Sequence, residues 1–335
     1  MNSIRLSLAV TPHLRTGPLR TGEVVVEGVE LAVSEVYASE IFWRQAKFGD
    51  FDISEMSLST LMIMIDRARQ SGEQCDWVAL PIFASQRRFF HTQVWIRADR
   101  GIQQPGDLAG KRVGVPEYQQ TAAVWTRGIL SDQFGLDPKT IDWHMERTSE
   151  VSHGGATGFS PPEGVVIHSI PPNESIASKL LDGSLDAAIR YIRDRNLVDR
   201  SRTVLEKEPA LRPLFDPGAE GLRYYKSSGL FPINHCVVVR REVAERHPWV
   251  LLNLFSAFVT AKERVDEHAA AYLTDYIATG LVDPTVTPTK RDLNPYGVSR
   301  NRRELETLGR YSHEQGLTST PLSPEDLFDA RTLGL

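Results

Sequence analysis

The sequence is short of cysteine. Cys75 and Cys236 are its only two in 335 residues, far apart and in no CxxC spacing, so they form neither a disulfide framework nor a zinc knuckle. That scarcity fits a reducing compartment. No stretch approaches the about 18 uninterrupted apolar residues of a membrane-spanning helix. The opening MNSIRLSLAVTPHL reads as a short strand without a basic leader and a long apolar run. The expectation is a cytoplasmic protein. Basic charge is not in excess either: 38 Lys and Arg against 43 Asp and Glu leave a formal net charge of -5, no footprint for DNA or RNA. Short clusters at Arg87-Arg88 and between Arg300 and Arg303 do not change that. Also missing are H-E-x-x-H, H-x-H, the G-x-S-x-G elbow and the P-loop, and His144 with His153 gives no useful ligand spacing. Neither a metal nor an organic cofactor is expected.

What is there is an ordinary globular composition, 41% hydrophobic and 24% charged, in a chain long enough to split into two lobes. IRLSLAV (4–10), VVVEGVELAVSEV (24–36), FDISEMS and CDWVALPIF (75–83) read as strands, with helical spacing between them at Ile41, Phe42, Gln45 and Phe48 and in STLMIMIDRAR. This β-α-β-α-β order predicts an α/β fold on a largely parallel sheet. Further strands are expected at RVGV, TIDWHM, GVVIHSI, LDAAIRYI and HCVVVRR, and helices after RVGV, from Pro248 and around 299–315. The glycine-rich SHGGATGFSPPEG (152–164) reads as a loop. The long apolar run 89–99 and FPINHCVVV (231–239) look like crossings between lobes. They divide the chain into a first lobe, 1–93 with 236–335, and a second, 94–235, with a ligand cleft between them.

Four short stretches could carry chemistry. In KRVGVPEYQQTAAVW a strand meets a helix start through Glu117, Tyr118, Gln119, Gln120 and Thr121. A helix N-terminus attracts a carboxylate or phosphate. Thr121 suits an N-cap or a ligand donor, and Glu117 a proton carrier or an orienting group; the bland alternative is that Thr121 only caps and Glu117 faces water. In RRFFHT, Arg87 and Arg88 could clamp a carboxylate and His91 could supply an acid. If this is a strand, Phe89 and His91 share a face. FPINH puts Asn234 and His235 at the second crossing, and TPH puts His13 on a loop after the first strand. A lone histidine among aromatics is more often a satisfied core residue, so the weight lies on several occurring together.

These stretches resemble the 4,5-dihydroxyphthalate decarboxylase family. The likeness runs from residue 4 to about 264 through EMSLSTLM, the segment from LPIFASQRRFFHT to GKRVGVPEYQQTAAVW, and LFPINHCVVVRR. It implies a two-lobed type II periplasmic-binding-protein-like fold and decarboxylation of a hydroxylated aromatic dicarboxylic acid, 4,5-dihydroxyphthalate or a close analogue. Two positions depart from the family pattern, Phe90 in place of an arginine and Asn234 in place of a methionine. Losing CO2 directly would leave a strongly basic aryl carbanion, so the carbon bearing the carboxylate is protonated first, aided by a para hydroxyl. In that scheme His91 is the expected proton donor, with His235 or Glu117 assisting at the phenol. Arg87, Arg88, Tyr118, Gln119, Thr121, Asn234 and His13 are expected to bind substrate, and Phe89 or Trp125 to shield the leaving carboxylate. The partner is a small aromatic carboxylate, and neither nucleic acid nor membrane; whether the chain forms a homo-oligomer stays open. Two readings compete at this point: a solute-binding protein for a small aromatic or amino-acid ligand of a transporter, and a binding-fold enzyme of other chemistry.

Overall fold

The structure, a computed structural model, describes residues 3–85, 87–281 and 292–335. The expected lobe limits include residues 1, 2, 86 and 282–291, which lie outside the described residues. The chain opens with β1 (Ile4–Val10), α1 (Gly17–Thr21), β2 (Val29–Glu35), α2 (Ala38–Phe48), β3 (Ile53–Ser57), α3 (Leu58–Gln70) and β4 (Trp77–Leu80). It then leaves for a second sheet through β5 (Val94–Arg97), β6 (Arg112–Val115), α4 (Thr121–Phe134), β7 (Asp142–Met145), α5 (His153–Ala156) and β8 (Ile167–Ser169). α6 (Ile176–Leu181), β9 (Ala187–Ile189), β10 (Leu211–Pro213) and α7 (Pro217–Ser228) complete that part. The chain returns with β11 (His235–Arg240), α8 (Arg241–Arg246) and α9 (Trp249–Ala278), followed by α10 (Arg302–Glu314) and α11 (Pro324–Leu327).

The fold is mixed α/β. One sheet has the order β2-β1-β3-β11-β4 and the other β10-β5-β9-β6-β7-β8. Both are largely parallel, as the sequence pattern predicts, with one reversed strand in each. β11 runs antiparallel to both β3 and β4, and β5 runs antiparallel to both β9 and β10. The reason is the connectivity. Each of these strands arrives from the other sheet, so it enters at the edge where the parallel strands end and must run against them. β3 and β4 are buried along their whole length, and β11 at all but its two end residues, which is why β4 and the interior of β11 read as continuous apolar runs.

One local expectation fails. The run 89–99 is not one strand. Phe90–Thr92 is a single 3-10 turn, and β5 begins only at Val94. Residues 24–36 hold one strand, with Val26 making only an isolated bridge to Val29. α4 is also more deeply buried than an amphipathic helix: every residue from Thr121 to Leu130 is buried, Arg127 included. One side packs on the 3-10 turn at Phe90–Thr92, and α10 covers another while also packing on α3. Trp125 meets the Tyr311 ring edge-on at 5.6 Å and donates its indole N–H to the Ile233 carbonyl at 2.8 Å. That bond fixes the segment leading into His235. Among the described residues no helix is long and apolar enough to cross a membrane.

At Gly128 the α4 backbone lies against the Tyr311 ring, where an added Cβ would overlap the ring carbons. Gly128→Ala is expected to lower stability by about 1–3 kcal/mol through overpacking. Gly106→Ala, where a Cβ meets nothing within 4 Å, serves as the control. Urea unfolding of both variants checks it, and equal midpoints would show that α10 is not seated as described.

Candidate functional site

In open α/β sheets ligands lie beyond the carboxyl ends of the parallel strands. Here Thr11 follows β1, Tyr37 follows β2, Ser57 ends β3, Arg147 follows β7 and Arg190 follows β9, while His235 begins the antiparallel β11 at the same edge. An inner recess of about 60 Å³ is lined by Tyr37, Ser39, Phe42, Arg147, His153, Arg190 and His235, among others. That is room for a small polar group such as a carboxylate. It opens into a cleft of about 1030 Å³, also bounded by Tyr37, Arg190, Asn234 and His235, and further out by His13 and Arg88.

Three helices begin at the recess. Ala38 and Ser39 open α2, Ser57 precedes α3, and Gln120, Thr121 and Ala122 open α4. First-turn N–H groups cannot be paired within their own helix, and each dipole is positive at this end. The three starts therefore favour an anion. The start of α3 is capped from α4. Thr121 Oγ1 accepts the Ser59 N–H at 3.0 Å and sits 2.8 Å from the Ser57 hydroxyl, while Ser59 Oγ donates to the Gln119 carbonyl at 2.5 Å. Thr121 is thus not its own helix's cap. That position is Gln120, with no side-chain bond.

Two guanidiniums add positive charge. Arg147 is buried and binds Asp199 through Nε at 2.7 Å and Nη2 at 3.1 Å, and Glu117 through Nη1 at 2.6 Å. Arg190 donates to Gln93 Oε1 at 2.7 Å, and burial pushes its pKa down to about 10. Its φ of 52° is the only positive value outside glycine among the described residues. Strain of this kind, about 1–3 kcal/mol, gathers at ligand sites.

Glu117 lies behind the recess. Its carboxylate accepts from Gly154 N–H, Gln119 Nε2 and His153 Nε2 at 2.7 Å each, besides Arg147. Burial alone would raise its pKa, but the charges of His153 and Arg147 and these N–H donors hold it well below the usual carboxylate range. It is a fixed anion that orients Arg147 and His153, so neither facing water nor carrying a proton suits it. His153 comes from the glycine-rich segment read as a loop; Thr60 Oγ1 meets its Nδ1 at 2.6 Å.

His235 is the imidazole at the rim. Its Nδ1 is 3.1 Å from Glu55 Oε2 and its Nε2 is 2.8 Å from Asn234 Nδ2, with the Phe42 ring edge-on at 4.7 Å. His13 accepts the Arg15 N–H at 3.3 Å, and burial, then Arg15, lowers its pKa.

Of the residues singled out by sequence, His13, Arg88, Thr121, Asn234 and His235 line the recess or cleft. Five do not. The 3-10 turn gives the cleft Phe90 and Thr92 and turns His91 away, into full burial beside Glu220 at 3.0 Å and the Tyr224 ring. Arg87 is a bolt, bonded to the Phe231 and Pro295 carbonyls and to Asn301 Oδ1. Tyr118 is core, stacked 3.6 Å under the Arg127 guanidinium. Gln119 and Glu117 form the layer behind. Phe89 packs on Phe231, and Trp125 is sealed under Tyr311, so the apolar wall is Phe42, Ala122 and Ile192 instead. Sequence reading missed Tyr37, Ser39, Glu55, Arg147, His153 and Arg190. The usable signal for three of them was position, just past the end of a parallel strand.

No family model matches the chain. It is 34% identical over 342 residues to the 4,5-dihydroxyphthalate decarboxylase of Comamonas testosteroni, covering 99% of this chain and 98% of that one. With the 4,5-dihydroxyphthalate decarboxylase of Pseudomonas putida it shares 37% identity over 189 residues, 56% of this chain and 71% of the other. Among solved structures, the alkanesulfonate-binding protein SsuA from Xanthomonas axonopodis pv. citri, bound to MOPS, matches with a TM-score of 0.55 at 11% identity, covering 99% of this chain and 98% of that one. That likeness concerns the fold alone, which is periplasmic-binding-protein-like.

Burial lowers the His91 pKa from 6.5 to about 4, with Glu220 acting against the shift. The folded state therefore binds this proton more weakly than the unfolded chain does. Stability is full above pH 6.5 and is lost as the pH falls toward 4. Wild type is expected to lose about 2–3 kcal/mol more than His91→Gln between pH 7.5 and 4.5, read by urea unfolding. Parallel losses would mean that His91 titrates freely.

Proposed function

The chain belongs to the 4,5-dihydroxyphthalate decarboxylase family and is a carboxy-lyase, and we propose that it decarboxylates 4,5-dihydroxyphthalate or a close analogue by protonating the ring carbon that bears the leaving carboxylate. Its relatives by sequence are named as enzymes, which favours turnover over capture of a solute for a transporter. The observation that carries the mechanism is the meeting of a small, positively polarised recess with the His235 imidazole at its rim.

The carboxylate that stays on the ring enters the recess, held by the starts of α2 and α4 and by Arg147 and Arg190. These groups are fixed before substrate arrives, so little reorganisation opposes binding. The ring then lies toward Phe42 and Ile192, with its hydroxyls in the wider cleft near His13, Tyr37 and Arg88. Electron density from the para hydroxyl builds on the carbon carrying the second carboxylate. A proton bonds there, the C–C bond breaks, its electron pair restores the aromatic ring, and CO2 departs uncharged. The reaction consumes one proton overall, and His235 exchanges it with the substrate. Arg190 and Arg88 neutralise the substrate's charge without surrounding the leaving carboxylate. The product of 4,5-dihydroxyphthalate is protocatechuate, a step of phthalate degradation. Two free, buried cysteines support a cytoplasmic setting.

The test is CO2 release from a panel of hydroxylated phthalates and isophthalates, run also in D2O. One deuterium is expected at the vacated ring position. His235→Gln should lower kcat by about 10²–10⁴ with little change in melting temperature, whereas His91→Gln should stay within about threefold of wild type, as a side chain outside the cavity. Tight binding without turnover across the panel would return the solute-binding reading. A collapse of kcat in His91→Gln alone would move the proton chemistry out of this recess.

A further inference from the structure

Glu55 is 1% exposed and lies on β3, one strand away from His235 on β11. Its Oε1 accepts the Thr11 N–H at 3.0 Å, and its Oε2 lies 3.0 Å from Thr11 Oγ1 and 3.1 Å from His235 Nδ1. A carboxylate only accepts hydrogen bonds, so the imidazole nitrogen facing it must carry a proton. In neutral His235 the other nitrogen, Nε2, is then an acceptor, and the amide group of Asn234 meets it with its N–H, in agreement with the 2.8 Å contact. The two partners are mutually consistent, and only one tautomer satisfies both.

We infer that Glu55 is a positioning residue that keeps His235 protonated on Nδ1 and presents Nε2 to the substrate, with Asn234 holding that nitrogen until substrate displaces it. The inference rests on the reading of His235 as the proton-exchanging group. Glu55 touches no substrate, since it lines neither the recess nor the cleft. It acts through the ring: the Nδ1 bond fixes the imidazole's orientation and leaves a negative charge to balance the imidazolium that forms when Nε2 takes the proton. The other titratable groups lining the recess are Tyr37, Arg147, His153 and Arg190, and the cleft adds His13, Arg88, Tyr191, Arg193, Asp194, Glu206 and Arg212.

Thr11 makes the inference sharply testable. A backbone N–H can only donate, so in Glu55→Gln it retains the amide oxygen at the Oε1 position. The amide NH2 then occupies the Oε2 position and donates to His235 Nδ1. The ring must switch its proton to Nε2, and the reactive nitrogen loses its lone pair although the size and shape of the side chain are unchanged. Histidine ¹⁵N spectra of the full-length protein report the tautomer directly and need no substrate. Wild type should show Nδ1–H and an unprotonated Nε2 at neutral pH, and Glu55→Gln the reverse. With 4,5-dihydroxyphthalate, kcat should fall about a hundredfold or more while KM changes less than about threefold. The limb of the pH–rate profile governed by His235 should move to lower pH, because the imidazolium has lost its carboxylate. Nε2–H in wild type, the same tautomer in both proteins, or a switched tautomer with undiminished kcat would each overturn the inference. The wild-type spectrum decides the tautomer even if the variant fails to fold. If the tautomer switches as expected but wild type turns over none of the panel, the decarboxylase reading fails and the assignment of Glu55 to the imidazole stands.

Discussion

The site depends on one contact: the start of α4 against the start of α3. Thr121 gives its hydroxyl oxygen to the Ser59 N–H, and Ser59 gives its hydroxyl to the carbonyl just before α4. Two helices that feed from different sheets are thereby joined at their positive ends, an arrangement that two dipoles alone would oppose. Reciprocal hydrogen bonds and the covering by α10 outweigh that repulsion. The result is a concentration of unpaired N–H groups that an anion relieves. Without the contact, each helix would keep its own cap and the recess would have no floor.

Behind that floor, the ionic layer of Glu117, Arg147, Asp199 and His153 solves a second problem. A guanidinium aimed at a ligand has to be rigid, yet a buried, rigid charge is costly unless paired. Arg147 is paired twice, to Asp199 and Glu117. Its neighbour Arg190 is held differently, by Gln93 and by a strained backbone. The cost of both is met by burial elsewhere, chiefly the large apolar cluster that runs from β1 through α4 to α10.

The sequence showed the positions of several strands well, because buried strands such as β4 and β11 leave clear apolar runs. It also drew attention to FPINHCVVV, the segment that led to Asn234 and His235. It failed where a side chain's direction depends on one residue of phase. A single 3-10 turn at Phe90–Thr92 exchanges His91 for its two neighbours, and alternation along a supposed strand points to the wrong one. Arg87 failed for a related reason. Its carbonyl and amide partners, at Phe231, Pro295 and Asn301, are remote in sequence. Arg147 and Arg190 sit in no motif at all, and stand just past the ends of strands whose neighbours could not be assigned without the sheet order. Glu55 lies within EMSLSTLM, in the middle of β3, and only the pairing of β3 with β11 brings it to His235. His153 was masked by the glycines around it, although Gly154 supplies the very N–H that holds Glu117.

The placement of β11 bears on how the protein is made. β3 and β4 follow each other in the chain but never pair. β11 lies between them, and it is synthesised only after the entire second sheet. Until then, the flanks of β3 and β4 are open edges that invite pairing with other chains. The second sheet is assembled from one continuous stretch and can close earlier. Contacts of such long sequence separation form slowly, so a growing chain is vulnerable to aggregation for most of its time on the ribosome. His235 is the first residue of the strand that ends this exposure, and the closing of the first sheet and the completion of the candidate site are one event.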